Sequence, residues 1–205
     1  MKKKIVFFPF NGNAIEALDC LDETFEFIGF VDDSPEKIGT SYLGYKIFDR
    51  RILENKTLKV LAVPGSPASF LQREEIIASL KLENNRFENV VHPKAVLSKA
   101  VELGTNNLIM AGTVFTSNFK MGSHNCLLPN SVLHHDSSIG SYNLVGSSVI
   151  IAGNVRIGNN NYIGSGSKFK NGLEIGDKNL FGLGANVLKN FGSFKTVYGN
   201  PAKEK

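Results

Sequence analysis

Residues 139–163 read IGSYNLVGSSVIIAGNVRIGNNNYI, and the spacing of their aliphatic side chains decides the fold. Ile139, Val145, Ile151, Ile157 and Ile163 stand six residues apart. That period is neither the 3.6 of an amphipathic helix nor the two of a half-buried strand. Continued in both directions, the same count meets Val91, Leu97, Leu103, Ile109, Phe115, Met121, Leu127 and Leu133 on one side. On the other it meets Phe169, Ile175, Phe181 and Val187, so all seventeen positions are apolar. A solenoid of short strands, each sending one residue inward, requires this pattern.

A longer period lies inside the first. The sequence aliphatic-Gly-x-x-Asn returns at residues 103, 121, 139, 157 and 175, so the true repeat is eighteen residues, or three hexapeptides per coil. That describes a triangular parallel β-helix over residues 91–192. Gly104, Gly122, Gly140, Gly158 and Gly176 form one column, as expected of a corner that needs permissive dihedral angles or close backbone approach. Asn107, Asn125, Asn143, Asn161 and Asn179 form another. Amides stacked about 4.8 Å apart can hydrogen-bond along such a column.

Residues 1–90 have a different rhythm, with strands and helices in alternation. The apolar run Ile5-Val6-Phe7-Phe8 suits a buried parallel strand and ends in the turn Pro9-Phe10-Asn11-Gly12-Asn13. Ala14, Ile15, Ala17, Leu18 and Leu21 then follow at helical spacing. Further strands are expected over residues 25–31 and 58–63, the latter stopped by Pro64-Gly65-Ser66-Pro67, and a second helix over 70–82. The segment between Pro35 and Leu58 carries no clear pattern. The alternation implies a small parallel, Rossmann-like βαβ sheet, whose ligands bind beyond the carboxyl ends of the strands. Asp32 lies twenty residues after Gly12, the separation at which an acidic side chain reaches a ribose in dinucleotide folds. The glycine fingerprint of those folds is missing, with Pro9 in place of its first glycine, which argues against a nicotinamide cofactor. The residues alone leave nucleotide binding and a merely structural βαβ unit both open.

Bulk properties narrow the setting. The net charge of +4 and pI near 9.0 owe much to the terminal run Lys2-Lys3-Lys4, a solvated cluster, and no nucleic-acid motif accompanies it. Two cysteines, Cys20 and Cys126, make no disulfide framework and suit a reducing compartment. No stretch approaches the length of a membrane span or a signal-peptide core, so the chain reads as cytoplasmic.

Of four histidines, coil indexing puts His92 on one face, His134 and His135 on a second, and His124 on the third, where it reads as an exposed polar turn residue. Ligands so dispersed do not converge on a metal within one chain, and no metal site is expected. His135 stands out because Asp136 follows it, and a nearby carboxylate can fix an imidazole's tautomer and raise its basicity. Eighteen residues on, in the same slot one coil higher, Gly153 leaves room and a backbone N–H that can face an oxyanion.

These motifs resemble the left-handed β-helix acyltransferases that acetylate nucleotide-linked 4-amino-4,6-dideoxy sugars, such as the bacillosamine-pathway and perosamine N-acetyltransferases. Sialic acid O-acetyltransferases are near relatives. The resemblance spans the chain through Gly29-Phe30-Val31-Asp32-Asp33, His135-Asp136-Ser137-Ser138-Ile139-Gly140, Ala152-Gly153-Asn154-Val155 and Gly199-Asn200-Pro201-Ala202-Lys203. It implies a left-handed coil, a homotrimer and acetyl-CoA as co-substrate. It also implies His135 as general base, Asp136 as its orienting carboxylate and Gly153 N–H as oxyanion donor. A tail over residues 193–205, with Gly199, Asn200, Pro201 and Ala202, would meet the far end of CoA. Gly12, Asn13, Asp32, Asp33 and Gly65 would hold the nucleotide sugar. An O-acetyltransferase with the same machinery and a non-catalytic binding module are the alternatives. The chain departs from the family pattern at three places. Pro9, Gly12, Asn13 and Ala14 replace a Gly-x-x-Gly-His-Gly loop, Leu128 stands at an asparagine slot, and Leu144 stands at a histidine slot.

Overall fold

The computed structural model describes residues 2–205. Strands repeat every six residues from 90 to 187 and stack into three parallel sheets whose partners lie eighteen residues apart, as in Val114 with Val132 and Ile139 with Ile157. All seventeen residues of the six-residue series point into one core. Each buried aliphatic or aromatic side chain there stabilises the coil by roughly 1.5–3 kcal/mol.

The outward residues of the same strands give the three faces different characters. The first face carries Val96, Val114, Val132 and Ile150, with Val96 59% exposed and the others half-buried. The second carries Glu102, Lys120, Ser138, Arg156 and Glu174, whose charges pair along the column at 3.1 Å (Lys120–Glu102) and 3.4 Å (Arg156–Glu174). The third carries Leu108, Cys126, Leu144, Tyr162 and Leu180 and is covered by the amino-terminal unit.

Two hydrogen-bonded columns hold the coils in register. Asn107, Asn125, Asn143, Asn161 and Asn179 are fully buried. Each accepts, at its side-chain oxygen, the backbone N–H of the residue one coil further on, at 2.7–2.9 Å. Asn89 starts this column by accepting from Asn107 N at 2.8 Å. A second column runs the opposite way, with Ser123, Ser141, Asn159, Asp177 and Ser193 accepting N–H groups from the coil before. The glycine column stands beside it. A Cβ at Gly122 would sit 2.5 Å from Ser141 Oγ and 2.8 Å from the Gly140 carbonyl, so close approach of coils, not dihedral freedom, demands glycine there. Left-handed backbone falls instead at corner residues such as Asn106, His124, Asp136 and Tyr142.

The repeat shortens at its end. Leu180 pairs with Thr196 and Phe181 with Val197, sixteen residues on, and the segment Lys203–Glu204 folds back antiparallel on Thr196–Tyr198. The chain after residue 192 therefore extends the third sheet.

The amino-terminal unit is a sheet of five strands, β1 (Lys3–Phe8), β2 (Phe25–Val31), β3 (Ser41–Tyr42), β4 (Tyr45–Phe48) and β5 (Lys59–Ala62), in the order β3-β4-β2-β1-β5. All pairings are parallel except the β3–β4 hairpin, which forms the segment that carried no pattern in the sequence. Helix α1 (Gly12–Glu16) is capped by Asn11, whose side chain accepts from Ala14 N at 2.9 Å. The helix expected over 70–82 is shorter, a 3₁₀ turn at Phe70–Gln72 followed by α2 (Arg73–Ala78). Its first residue, Arg73, is fully buried against the solenoid and donates to His124 O at 3.0 and 2.9 Å and to Pro64 O.

Candidate active site

His135 and Asp136 occupy the corner that follows the first-face strand Val132–Leu133. Asp136 has φ 57°, and this left-handed turn brings its carboxylate back to the neighbouring imidazole, with Oδ2 2.8 Å from His135 Nδ1. Its other oxygen accepts from Asn118 Nδ2 at 2.9 Å. Asn118 is one coil below in the same slot, so the eighteen-residue count locates it as well. Hydrogen bonds from Asn118 and from His135 hold Asp136 below the usual carboxylate range, so it stays ionised beside the imidazole. With Nδ1 so engaged, Nε2 is the free nitrogen.

Gly153 covers that nitrogen. A Cβ placed on it would lie 2.8 Å from both Cε1 and Nε2 of His135. Ser137 sets the height of this overlap, donating to Ala152 O at 2.8 Å and accepting from Val155 N at 2.9 Å. Asn154 N donates to His135 O at 3.1 Å and Gly172 N to Gly153 O at 3.0 Å. Among the described residues no acceptor takes the Gly153 N–H. The corner thus holds an oriented, half-exposed imidazole, an ionised partner and an uncommitted backbone donor, the parts needed to deprotonate a nucleophile and stabilise an oxyanion.

The residues expected to bind a sugar nucleotide fall elsewhere. Asn13 and Gly65 line a cavity of about 110 Å³ at the junction with the third face, together with Leu128, Leu144, Gly146 and Tyr162. The three departures from the family pattern, Asn13, Leu128 and Leu144, therefore meet in one place. Gly12 is exposed beside it, with open space around its Cα. Asp32 is buried, and its carboxylate accepts from Phe10 N (2.9 Å), Ser34 N (2.9 Å) and Lys37 Nζ (3.2 Å), tying two loops together. Asp33 is exposed and forms a two-pronged pair with Arg50 at 2.6 Å. Gly199, Asn200, Pro201 and Ala202 form the last corner after the third face, where Asn186 N donates to Gly199 O at 3.0 Å and Ala202 N to Asn186 O at 2.8 Å. Within one chain, neither the cavity nor this tail shares the His135 corner.

His124 corrects the sequence reading. It is 7% exposed, stacked on Tyr142 at 4.7 Å and met edge-on by Phe87 at 5.1 Å, because the amino-terminal unit lies across its corner. Its Nδ1 meets Asn106 Nδ2 at 2.9 Å, and Asn106 in turn clasps both backbone groups of Ala62. Burial and the Arg73 charge push its pKa down to about 4, so it is neutral. Cys20 and Cys126 are buried in the junction, where desolvation raises their thiols to about 12 and about 11 and leaves them protonated. Among the described residues no group of three or more His, Cys, Asp or Glu converges, and no helix is long and apolar enough to cross a membrane.

Fold and corner together define the class, a hexapeptide-repeat solenoid with an imidazole–carboxylate pair on its edge. The family model for the bacterial transferase hexapeptide (six repeats) matches residues 136–171, the coils that hold Asp136 and Gly153. The particular likenesses lie among solved structures and span the whole chain. PerB from Caulobacter crescentus in complex with CoA and GDP-perosamine is 22% identical, covers 100% of this chain and 98% of its own, and superposes with a TM-score of 0.86. The acetyltransferase domain of PglB from Neisseria gonorrhoeae in complex with acetyl coenzyme A is 21% identical, with 100% of both chains covered and a TM-score of 0.86. WeeI from Acinetobacter baumannii is 26% identical, again with 100% of both chains covered and a TM-score of 0.84. No curated protein matches by sequence. The left-handed β-helix resemblance drawn from the sequence is thus matched in fold from end to end.

Proposed function

We propose that this chain is an acetyl-CoA-dependent N-acetyltransferase acting on the amino group of a nucleotide-linked 4-amino-4,6-dideoxy sugar. The observation that carries the reading is the His135–Asp136 pair, 2.8 Å apart, lying under Gly153 with its free N–H. The ligands held by PerB and the PglB domain support the two substrates.

As the sugar amine attacks the thioester carbon, His135 Nε2 takes its proton and the C–N bond forms. Asp136 fixes the tautomer through Nδ1 and stabilises the imidazolium. The oxyanion accepts from Gly153 N–H, and its collapse breaks the C–S bond, the sulfur leaving with the proton returned by His135. Transfer is direct, since both thiols are buried and protonated in the junction, away from the His135 corner.

The amino-terminal unit acts as a Rossmann-like nucleotide holder at the carboxyl ends of β1, β2 and β5. Gly12, Asn13, Asp33 and Gly65 contact the sugar nucleotide there, and Asp32 acts by fixing the loops that carry them. The active enzyme is a homotrimer. Its support is twofold: the cavity and the Gly199–Ala202 tail lie off the His135 corner in a single chain, and the first face presents the apolar column Val96, Val114, Val132 and Ile150 for another copy to cover.

Thiol release from acetyl-CoA, measured against a panel of nucleotide-linked 4-amino sugars and sialic-acid-type hydroxyl acceptors, tests this reading. His135→Asn should lower kcat on the order of 10²-fold or more while acetyl-CoA binding persists. Near-normal turnover by that variant, or acylation of hydroxyl acceptors alone, overturns it.

A further inference from the structure

We infer that the carboxy-terminal end of the solenoid is a docking surface for an anionic lipid bilayer, with Leu183, Leu188 and Phe194 entering the lipid and the lysines around them meeting its headgroups. These three residues stand at the three corners of the last coil, after the third, first and second faces in turn. They are 74%, 54% and 72% exposed. Eleven residues separate Leu183 from Phe194, so at about 4.8 Å per eighteen-residue coil the three tips lie within about 3 Å of one plane across the axis. The surface between them is low, with open space around Gly184 and Gly192.

Large apolar tips are peculiar to this coil. The slot of Leu183 holds Ala111, Pro129, Ser147 and Ser165 in the coils before it. The slot of Leu188 holds Ser98, Thr116, His134, Ala152 and Lys170. Phe194 sits at a left-handed corner, φ 61°, which Asn106, Asn160 and Lys178 occupy lower down. Such backbone suits asparagine or glycine better than a bulky ring. His124 shares that slot and is buried under the amino-terminal unit, whereas the Phe194 ring stands in solvent.

Charge names the occupant. Residues 178–205 hold Lys178, Lys189, Lys195, Lys203 and Lys205 against one carboxylate, Glu204, which Lys195 pairs at 2.8 Å. The lysines are spread among the tips. Lys189 follows Leu188, and Lys178 Nζ lies 5.5 Å from the Phe194 ring. Lys203 pairs across the strands with Tyr198, whose ring lies against Gly182, beside Leu183. Two such basic ends repel each other, which disfavours a second copy docked end to end. Apolar tips set among ammonium groups match anionic headgroups over hydrocarbon. The tips enter the acyl boundary while each lysine is drawn to the negative surface.

Co-sedimentation of the full chain with vesicles tests this, using phosphatidylglycerol and phosphatidylcholine in equal parts, or phosphatidylcholine alone. Wild type should bind the mixed vesicles on the order of tenfold more strongly, and the preference should shrink as salt rises. Leu183→Ser/Leu188→Ser/Phe194→Ser, its fold checked by circular dichroism, should lose on the order of tenfold or more of that binding. Lys178→Gln/Lys203→Gln/Lys205→Gln should lose about fivefold per lysine. Lys2→Gln/Lys4→Gln, which removes charge from the other terminus, should bind as wild type does. Equal binding by wild type and the serine variant, or no preference of wild type for the mixed vesicles, overturns the inference. A loss in Lys2→Gln/Lys4→Gln matching that of the other lysine variant also overturns it, since any basic surface would then serve. So does lipid-free self-association of wild type that the serine substitutions abolish, if vesicles stay unbound, because this end would then belong to a second copy.

Discussion

The solenoid and the amino-terminal unit place their residues by different rules. In the solenoid, position follows from counting. Asn118, Asp136 and Asn154 share a slot because they are eighteen apart, and one backbone geometry recurs at each. In the amino-terminal unit, position follows from packing. Phe7, Phe10, Phe27, Phe30, Tyr42 and Tyr45 form one aromatic cluster that no period announces. A site on a counted scaffold is held to backbone precision, whereas a site on a packed one shifts with each side chain that lines it.

Three perturbations break or sharpen that contrast. The largest is Gly153→Val. The added branch meets the imidazole 2.8 Å away and closes the donor side, so kcat should fall on the order of 10²- to 10³-fold, with the fold retained by circular dichroism. Normal turnover would remove Gly153 from the mechanism. Next is Asn143→Leu, which leaves the buried Asn161 N–H without its acceptor and costs about 3 kcal/mol. Hydrogen exchange should show the loss spreading over adjacent coils while β1 and β5 stay protected. Uniform loss across the chain would mean that the two regions unfold as one.

The smallest effect concerns the junction. His124 is neutral in the folded protein, with a pKa of about 4 against the ordinary 6.5, so its contribution is present above pH 6.5 and is lost as pH falls toward 4. Stability should drop by about 2 kcal/mol between pH 7 and pH 5 from this group. Urea midpoints for wild type and His124→Phe check it. The variant keeps an aromatic ring on Tyr142 and should show a flatter curve in that window, and parallel curves would refute the assignment.

The coil, its inward residues and the stacking of Gly153 on His135 were legible in the sequence because each depends only on separation. Asn118 was equally legible by the same count. The end of the repeat was not, since the sixteen-residue coil that pairs Phe181 with Val197 obeys no earlier spacing. Nor was the burial of His124. Its corner is chemically like the others, and only the amino-terminal unit lying across it removes water. Arg73 reads as one charge among several on a helix, yet it is fully buried, with backbone carbonyls as its hydrogen-bond acceptors. Desolvation without a carboxylate pushes its pKa down to about 10. Such positions depend on which surfaces meet, and a local pattern does not record that.

The two side-chain columns act as counter-threaded screws. One passes each N–H down to the coil before it, the other up to the coil after it, so a slip of the stack in either direction breaks bonds in both. Thermal breathing that would part His135 from Gly153 is opposed from both sides at once. The proton transfer proposed for His135 is thereby carried on a frame held in register from both sides.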